Sequence, residues 1–438
     1  MAKQLSSILN IDQKWVSVDD IKSYQYNEYL PTSGSSLNTP GTITINIEGQ
    51  DEFYHPRRSY LLVEGKLCKK AAAASYAAGD QIALVNNGIM HLFSNMKYEI
   101  GGSLMEDVND PGIAGVLMGA AKFPFDYAAG AGLMQCWAPN TANSQLIDTK
   151  GHEAIKKYII ANSNPIGTFS FIVELENVFG FVEDYAKVTY GLRHKLSLVR
   201  KSDNDAILRV SGVAAGKVNV TKIAWLMPRV IPSDETKTML NKMIENKGTV
   251  DVGFRMRQCN VAEIPQKVTS FDWRLGVRSA PEKPRHILIA LQTDRSDNQE
   301  KDASVFDNLN VTQMSVTLND TKYPARDVRA DFAKNQFIEY YRMFSGFAQD
   351  YYGIDPLMSK NFMDPLTYKT LFPIFYFDVS KQSERFRQGV VDATVNMRFA
   401  GAGVPAKVVA HALIISDRRM IFKSDGNRMN IESYTSTK

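Results

Sequence analysis

Residue patterning predicts an all-β protein made of two successive antiparallel sandwiches, and three observations carry that prediction. Met96–Ile100 (MKYEI) alternates apolar and polar residues and runs into Gly101-Gly102, and Met314–Leu318 (MSVTL) does the same into Asn319-Asp320. Each is a strand entering a tight hairpin. The two lie 218 positions apart in a chain of 438 residues, about half its length. Three further look-alike pairs follow in the same order: Phe169–Glu176 with Phe372–Asp378, His194–Arg200 with Asp392–Arg398, and Lys217–Trp225 with Lys407–Ile415. Shared order at roughly shared spacing points to one β architecture used twice.

The elements follow in order. Residues 1–40 read as an extended arm, with Trp15, Tyr24, Tyr26 and Tyr29 among polar residues and Pro31–Ser36 as punctuation. From Thr42 the period of two begins, Ile43, Ile45 and Ile47 on one face and Thr44, Asn46 and Glu48 on the other. Tyr60–Leu67 is the next strand, and Phe169, Phe171, Val173 and Leu175 mark another, as do Leu196–Val199. Between them, 107–165 is a long insertion rich in Ala, Gly and Pro, expected on the surface with short helices such as His152–Ile160.

A helix is expected over 233–247. Ser233 caps it, Asp234 and Glu235 occupy its first turn, Met239, Leu240, Met243 and Ile244 form its stripe, and Lys247-Gly248 ends it. Beyond it Phe271, Trp273, Leu275 and Val277 alternate with polar neighbours, and His286–Leu291 is nearly continuous in apolar residues, as in a strand buried on both faces. Phe337, Ile338, Tyr341, Phe344 and Phe347 have helical spacing, so a helical insertion, about 325–371, interrupts the second half where 107–165 interrupts the first. Val391–Phe399 restores alternation, the last strand ends near Phe422, and 426–438 is a polar tail.

Composition narrows the function classes. The chain is 44% hydrophobic and 22% charged, ordinary for a globular protein, and its net charge of +4 is scattered rather than gathered for nucleic acid. Three cysteines, Cys68, Cys136 and Cys259, fit neither a disulfide framework nor a zinc knuckle and point to a reducing compartment. The first fifteen residues lack a signal-peptide core, and the greasiest run, Ile113–Ala121, is too short to span a bilayer; the chain reads as cytosolic or nuclear.

Chemistry-bearing motifs are weak. None of the six histidines has metal-ligand spacing. His91, in an apolar run, reads as a satisfied core histidine, and His194 with Glu183 reads as an ion pair on a sandwich rather than an acid–base pair. Gly112, Gly115, Gly119 and Lys122 resemble a phosphate loop without its GK[ST] ending, and Gly401-Ala-Gly403 reads as a hairpin turn. Asn219, Asn310 and Asn319 begin glycosylation-like triplets that are coincidences of strand vocabulary without a secretory signal. No catalytic, cofactor-binding or metal residue is assigned, and no enzyme activity is expected.

Several blocks together resemble the double jelly-roll major capsid proteins of Polinton/Maverick elements, adintoviruses and virophages. They are Asp51–Lys66, Asn86–Gly102, Phe306–Pro324, and Asn396–Ala400 with Val408–Phe422, while Phe179–Tyr185 and Tyr190–His194 resemble capsid-like proteins encoded in animal genomes. The resemblance implies an eight-stranded jelly roll over 41–232 and another over 248–425. It also implies a homotrimeric, pseudo-hexameric capsomer that tiles an icosahedral shell in the virion, assembled in the host cytoplasm or nucleus. Partners implied are further copies of the chain, a penton or minor capsid protein, and non-specific contact with packaged DNA or an internal membrane. No cofactor and no small-molecule substrate are implied. In that family the chain termini sit at the capsomer base and long insertions project outward, which would put 107–165 and 324–371 on the outer surface. A two-domain carbohydrate-binding or glycan-processing sandwich, or a host protein derived from a capsid gene, would share the same alternation.

Overall fold

The structure is a computed structural model that describes residues 21–32, 36–49, 52–138, 140, 150–246, 248–276, 283–354, 363–381, 391–424 and 429–433. The first half holds β1 (Ile21–Tyr29), β2 (Gly41–Ile47), β3 (Tyr60–Lys69), β4 (Phe93–Ile100), β5 (Ser103–Asn109), β6 (Thr168–Glu174), β7 (His194–Arg200) and β8 (Gly216–Pro232). The second holds β9 (Thr249–Ile264), β10 (Ser270–Leu275), β11 (Lys283–Thr293), β12 (Val311–Leu318), β13 (Thr321–Tyr323), β14 (Phe375–Asp378), β15 (Ala393–Phe399) and β16 (Val408–Ser424). A last strand, β17 (Met429–Ser433), pairs with the end of β16.

Pairing shows the repeat. In the first half β1-β8-β3-β6 form one sheet, extended beside the end of β8 by the short strands Phe53–Tyr54 and Thr189–Tyr190, and β2-β7-β4-β5 form the other; in the second, β9-β16-β11-β14 and β10-β15-β12-β13 follow the same order. Every ladder is antiparallel. Strands 1, 8, 3, 6 facing 2, 7, 4, 5 is the jelly-roll order. Each echo seen in the sequence falls on strands of equal rank: β4 with β12, β6 with β14, β7 with β15, β8 with β16.

Alternation explains the sandwiches. Ile43, Ile45 and Ile47 of β2 and Ala393, Val395 and Met397 of β15 are fully buried, each set facing the opposite sheet. Trp225 of β8 sits edge-on to Tyr98 and His194, which come from the facing sheet. Antiparallel pairing puts the 1–2, 3–4, 5–6 and 7–8 connections at one end of each sandwich and the other connections at the opposite end. The helix α5 (Asp234–Glu245) joins the halves at that opposite end, where Ser233 accepts a hydrogen bond from the Thr236 N–H as the expected cap.

Three expectations are corrected. Residues 21–29 of the expected arm are strand β1, paired along β8 from Pro232 to Trp225; the rest of the arm, 1–20, lies outside the described residues. Residues 429–433 of the expected polar tail are β17. The insertion 107–165 is not a surface feature throughout: its helix α1 (Pro111–Lys122) is buried at ten of twelve positions. The equivalent insertion of the second half carries α6 (Ile338–Ser345), α7 (Phe347–Tyr352) and α8 (Pro365–Thr370), close to the expected helical spacing. Its aromatics are mostly core, with Tyr340, Phe344, Phe347, Tyr368 and Phe372 all buried.

Candidate functional site: the seam between the two halves

Strand β9 is the edge strand of its sheet, and an open edge presents unpaired N–H and C=O groups. Here carboxylates of the first half blunt it. The Arg255 N–H donates to Asp184 at 2.8 Å and the Arg257 N–H to Glu106 at 2.7 Å. Glu106 lies on β5 and is fully buried, and it also accepts the Gly180 and Phe181 N–H groups at 3.1 and 3.0 Å. These open the short helix α4 (Gly180–Asp184), so one carboxylate ties a helix of the first half to a strand of the second. Burial pushes the Glu106 carboxyl up to about 7 against the pull of Arg257 and the three N–H donors.

Gly180 is what lets α4 approach. A Cβ there would stand 1.7 Å from the Arg255 carbonyl oxygen, so no other residue fits without parting the halves.

Glu183 is the second hub. It ion-pairs with the buried Arg257 guanidinium and with Lys122 at 2.8 Å, and accepts the Tyr351 and Tyr352 hydroxyls at 3.0 and 2.8 Å. Burial alone would raise its carboxyl; Arg257 and Lys122 overcome that and hold it down at about 2. Beside it Asp184 pairs with Arg255, whose guanidinium lies 3.7 Å from the Tyr351 ring centroid. Glu183 and Asp184 are each ion-paired and hydrogen-bonded here, so removing one partner is costly.

Helix α1 wedges between the halves, touching β4 and β5 on one side and β9, β16 and α7 on the other. Its glycines are packing contacts rather than a phosphate cradle. A Cβ on Gly112 would meet the His91 ring at 2.5 Å, one on Gly115 the Asn87 amide at 2.2 Å, and one on Gly119 Phe123 and Trp137 at 2.9 Å. Lys122 donates to Asn177 and Glu183. At the end of the seam near the 1–2 and 3–4 connections, a cavity of about 480 Å³ is lined by His91, His411, Asp110, Lys201, Asp205 and Glu263 among others. Among the described residues, both ring nitrogens of His411 and Nε2 of His91 have no hydrogen-bond partner. Burial holds both rings neutral, His91 down to about 3 and His411 to about 4.

The structure does not bring His194 and Glu183 together. His194 is buried between the Tyr98 hydroxyl at 2.8 Å and the Thr189 hydroxyl at 2.9 Å, a core arrangement. Gly401 and Gly403 both have positive φ in the turn before β16, but that turn is not the expected hairpin, because β15 and β16 belong to opposite sheets and the turn carries the chain across the sandwich. The three cysteines are buried and free. Among the described residues no group of three or more His, Cys, Asp or Glu could hold a metal, and no helix is long and apolar enough to cross a membrane. Sequence reasoning missed Glu106, Asp184, Arg255 and Arg257, because Glu106 and Arg257 are 151 residues apart and each is an ordinary charge in its own strand.

A family model described as a double jelly roll-like domain matches residues 136–420. Comparison with curated protein sequences finds no match. Among solved structures, the chain is similar to the Sputnik virophage cryo-EM structure, with a TM-score of 0.60, 11% identity, and 97% of this chain and 91% of that one covered. It is similar to the capsid of PBCV-1 virus (TM-score 0.54, 9% identity, 97% and 100% covered). The mavirus major capsid protein gives 0.51, 12% identity, and 97% and 93%. At such identities the likeness is one of fold.

Proposed function

The chain belongs to the family of double jelly-roll-like domains, and from that premise we propose that it is the major capsid protein of a virus or virus-like element. The observation that carries the reading is the seam: two sandwiches of identical strand order stand side by side, held by buried ion pairs rather than a flexible linker. A rigid pair of near-identical units closes into a six-cornered ring when three chains associate head to tail, and such rings tile a closed shell. The solved capsid structures of the same fold support this use.

The partners of this reading are two further copies in the capsomer, neighbouring capsomers, and a penton or minor capsid protein at the shell's vertices. Contact with packaged DNA or an internal membrane falls to the chain termini, at the end of the sandwiches where β1 begins and β16 ends. The sandwiches occupy about 21–232 and 249–433, and neither carries a catalytic or cofactor role. Negative-stain imaging of the purified protein is the test. Hexagonal or triangular particles and closed shells are expected; monodisperse single chains at micromolar concentration would refute the reading.

A further inference from the structure

Each half of the chain sends one histidine to the seam cavity. His91 belongs to the single turn Met90–Leu92 that leads into β4, and His411 lies near the start of β16, between Val261 of β9 and Ala290 of β11. The two residues are 1% and 7% exposed. Among the described residues, three of their four ring nitrogens have no hydrogen-bond partner. A neutral imidazole survives in such a place because it has no charge to solvate; an imidazolium does not.

The charged groups facing the rings come from both halves. In the first, Lys201 pairs with Asp205 at 2.7 Å and with Asp110 at 3.8 Å, and Asp205 also accepts the Asp297 N–H at 2.6 Å. In the second, β9 contributes Glu263 and the Cys259 thiol, which burial pushes up and keeps neutral. After β11, Asp294 pairs with Lys407 at 2.7 Å and Lys301 at 3.1 Å, and Arg295 with Asp307 at 2.7 Å. Burial is the main cause that holds His91 at about 3 and His411 at about 4; Lys201 pushes the same way, and Asp205 opposes by less. Protonating both rings would set two like charges against each other across the seam, beside a lysine.

Backbone ties join the halves next to this cavity. The Arg209 N–H donates to the Gln299 carbonyl at 2.8 Å, and the Gly216 N–H to the Gln299 side-chain oxygen at 2.9 Å. The Glu183–Arg257 pair lies further back along β9 and stays ionised well below pH 4, because Glu183 is held at about 2. Acid therefore acts on one end of the seam and spares the other.

We propose that His91 and His411 form an acid-sensitive latch: proton uptake by the two rings opens this end of the seam while each sandwich stays folded. Opening admits water, and each ring then takes its proton at the ordinary 6.5. From pH 6.5 down to 4, each ring thus favours the open form by about tenfold per unit, and the pair by about a hundredfold. Asp110, raised by burial, opposes them over the interval just above its ordinary 3.8. The latch belongs to the single chain and does not rest on the capsid reading.

Amide hydrogen exchange of the full chain between pH 7 and 4.5, corrected for the intrinsic rate at each pH, is the test. The Arg209 and Gly216 amides should lose protection by about a hundredfold per unit below pH 6.5, and should exchange ahead of the β12 amides throughout. His91→Gln and His411→Gln each keep a neutral polar side chain that takes no proton. Either one should cut the loss to about tenfold per unit, and the double variant should flatten it. The single variants decide the matter should the double variant not fold. An undiminished loss in both single variants, or Arg209 and Gly216 amides that exchange together with β12, overturns the latch.

Discussion

Glu106→Ala removes one side chain and orphans three buried donors, the N–H groups of Gly180, Phe181 and Arg257. Each unsatisfied buried donor costs about 1–3 kcal/mol, so about 6 kcal/mol is the gross loss. Part is returned. A carboxyl raised from 4.5 to about 7 is only half ionised at neutral pH and costs the folded state about 3 kcal/mol there, which alanine relieves. The net expectation is about 3 kcal/mol. Glu106→Gln should cost less, about 1–2 kcal/mol, because the oxygen serving Gly180 and Arg257 survives and only the Phe181 N–H faces an amide NH₂. Two sandwiches need not unfold in one step, so amide hydrogen exchange is the better assay. The Gly180, Phe181 and Arg257 amides should exchange about a hundredfold faster in the alanine variant, with amides in β12 unchanged. Equal effects of Ala and Gln, or no change at those three amides, would refute the role given to the carboxylate.

Gly180→Ala should part the seam rather than unfold either sandwich, because its Cβ meets a backbone oxygen that cannot step aside; limited proteolysis that yields two intact halves would bear this out, and an unchanged pattern would not. Stability should fall in acid. Burial holds His91, His152, His194, His286 and His411 at about 3–4 against an ordinary 6.5, so each favours the folded state above pH 6.5 and loses about 1.4 kcal/mol per unit below it. Glu106, raised by burial, works in the opposite sense between pH 7 and 4.5, as does the more solvent-screened Glu174, leaving a net fall of about 4 kcal/mol per unit from pH 6.5 to 4.5. A thermal midpoint that stays flat over that range would contradict the burial of these rings. Deleting residues 1–30 removes β1 and should cost the first sandwich its edge strand, so a truncated chain as heat-stable as the full one would be evidence against that pairing.

What the sequence disclosed and what it hid have physical causes. The strands of both sandwiches are legible wherever one face meets a core and the other meets water, because a period of two then follows from the pleat. Strand β1 escaped notice because neither of its faces is fully covered within the chain, so its one short alternation, Tyr24-Gln25-Tyr26-Asn27, carries no aliphatic core residue. Helix α1 was misplaced for the opposite reason. Packed on both sides, its run of Ala, Gly, Val, Leu and Met carries no amphipathic stripe and looks like loop composition. The seam is not legible at all, since Glu106, Glu183, Arg255 and Arg257 become a network only after the halves meet. Tyr351 and Tyr352 join that network by hydrogen-bonding Glu183, a partner 168 and 169 residues away that no local pattern announces.

In the proposed capsomer, each pair of fused sandwiches is one third of a ring that two other copies complete. Sedimentation equilibrium of the purified chain, paired with class averages of the same sample, tests it most directly. A species of three times the 49.0 kDa chain mass with a six-lobed outline is expected. A single-chain mass across the micromolar range, or a two-fold particle, would contradict it.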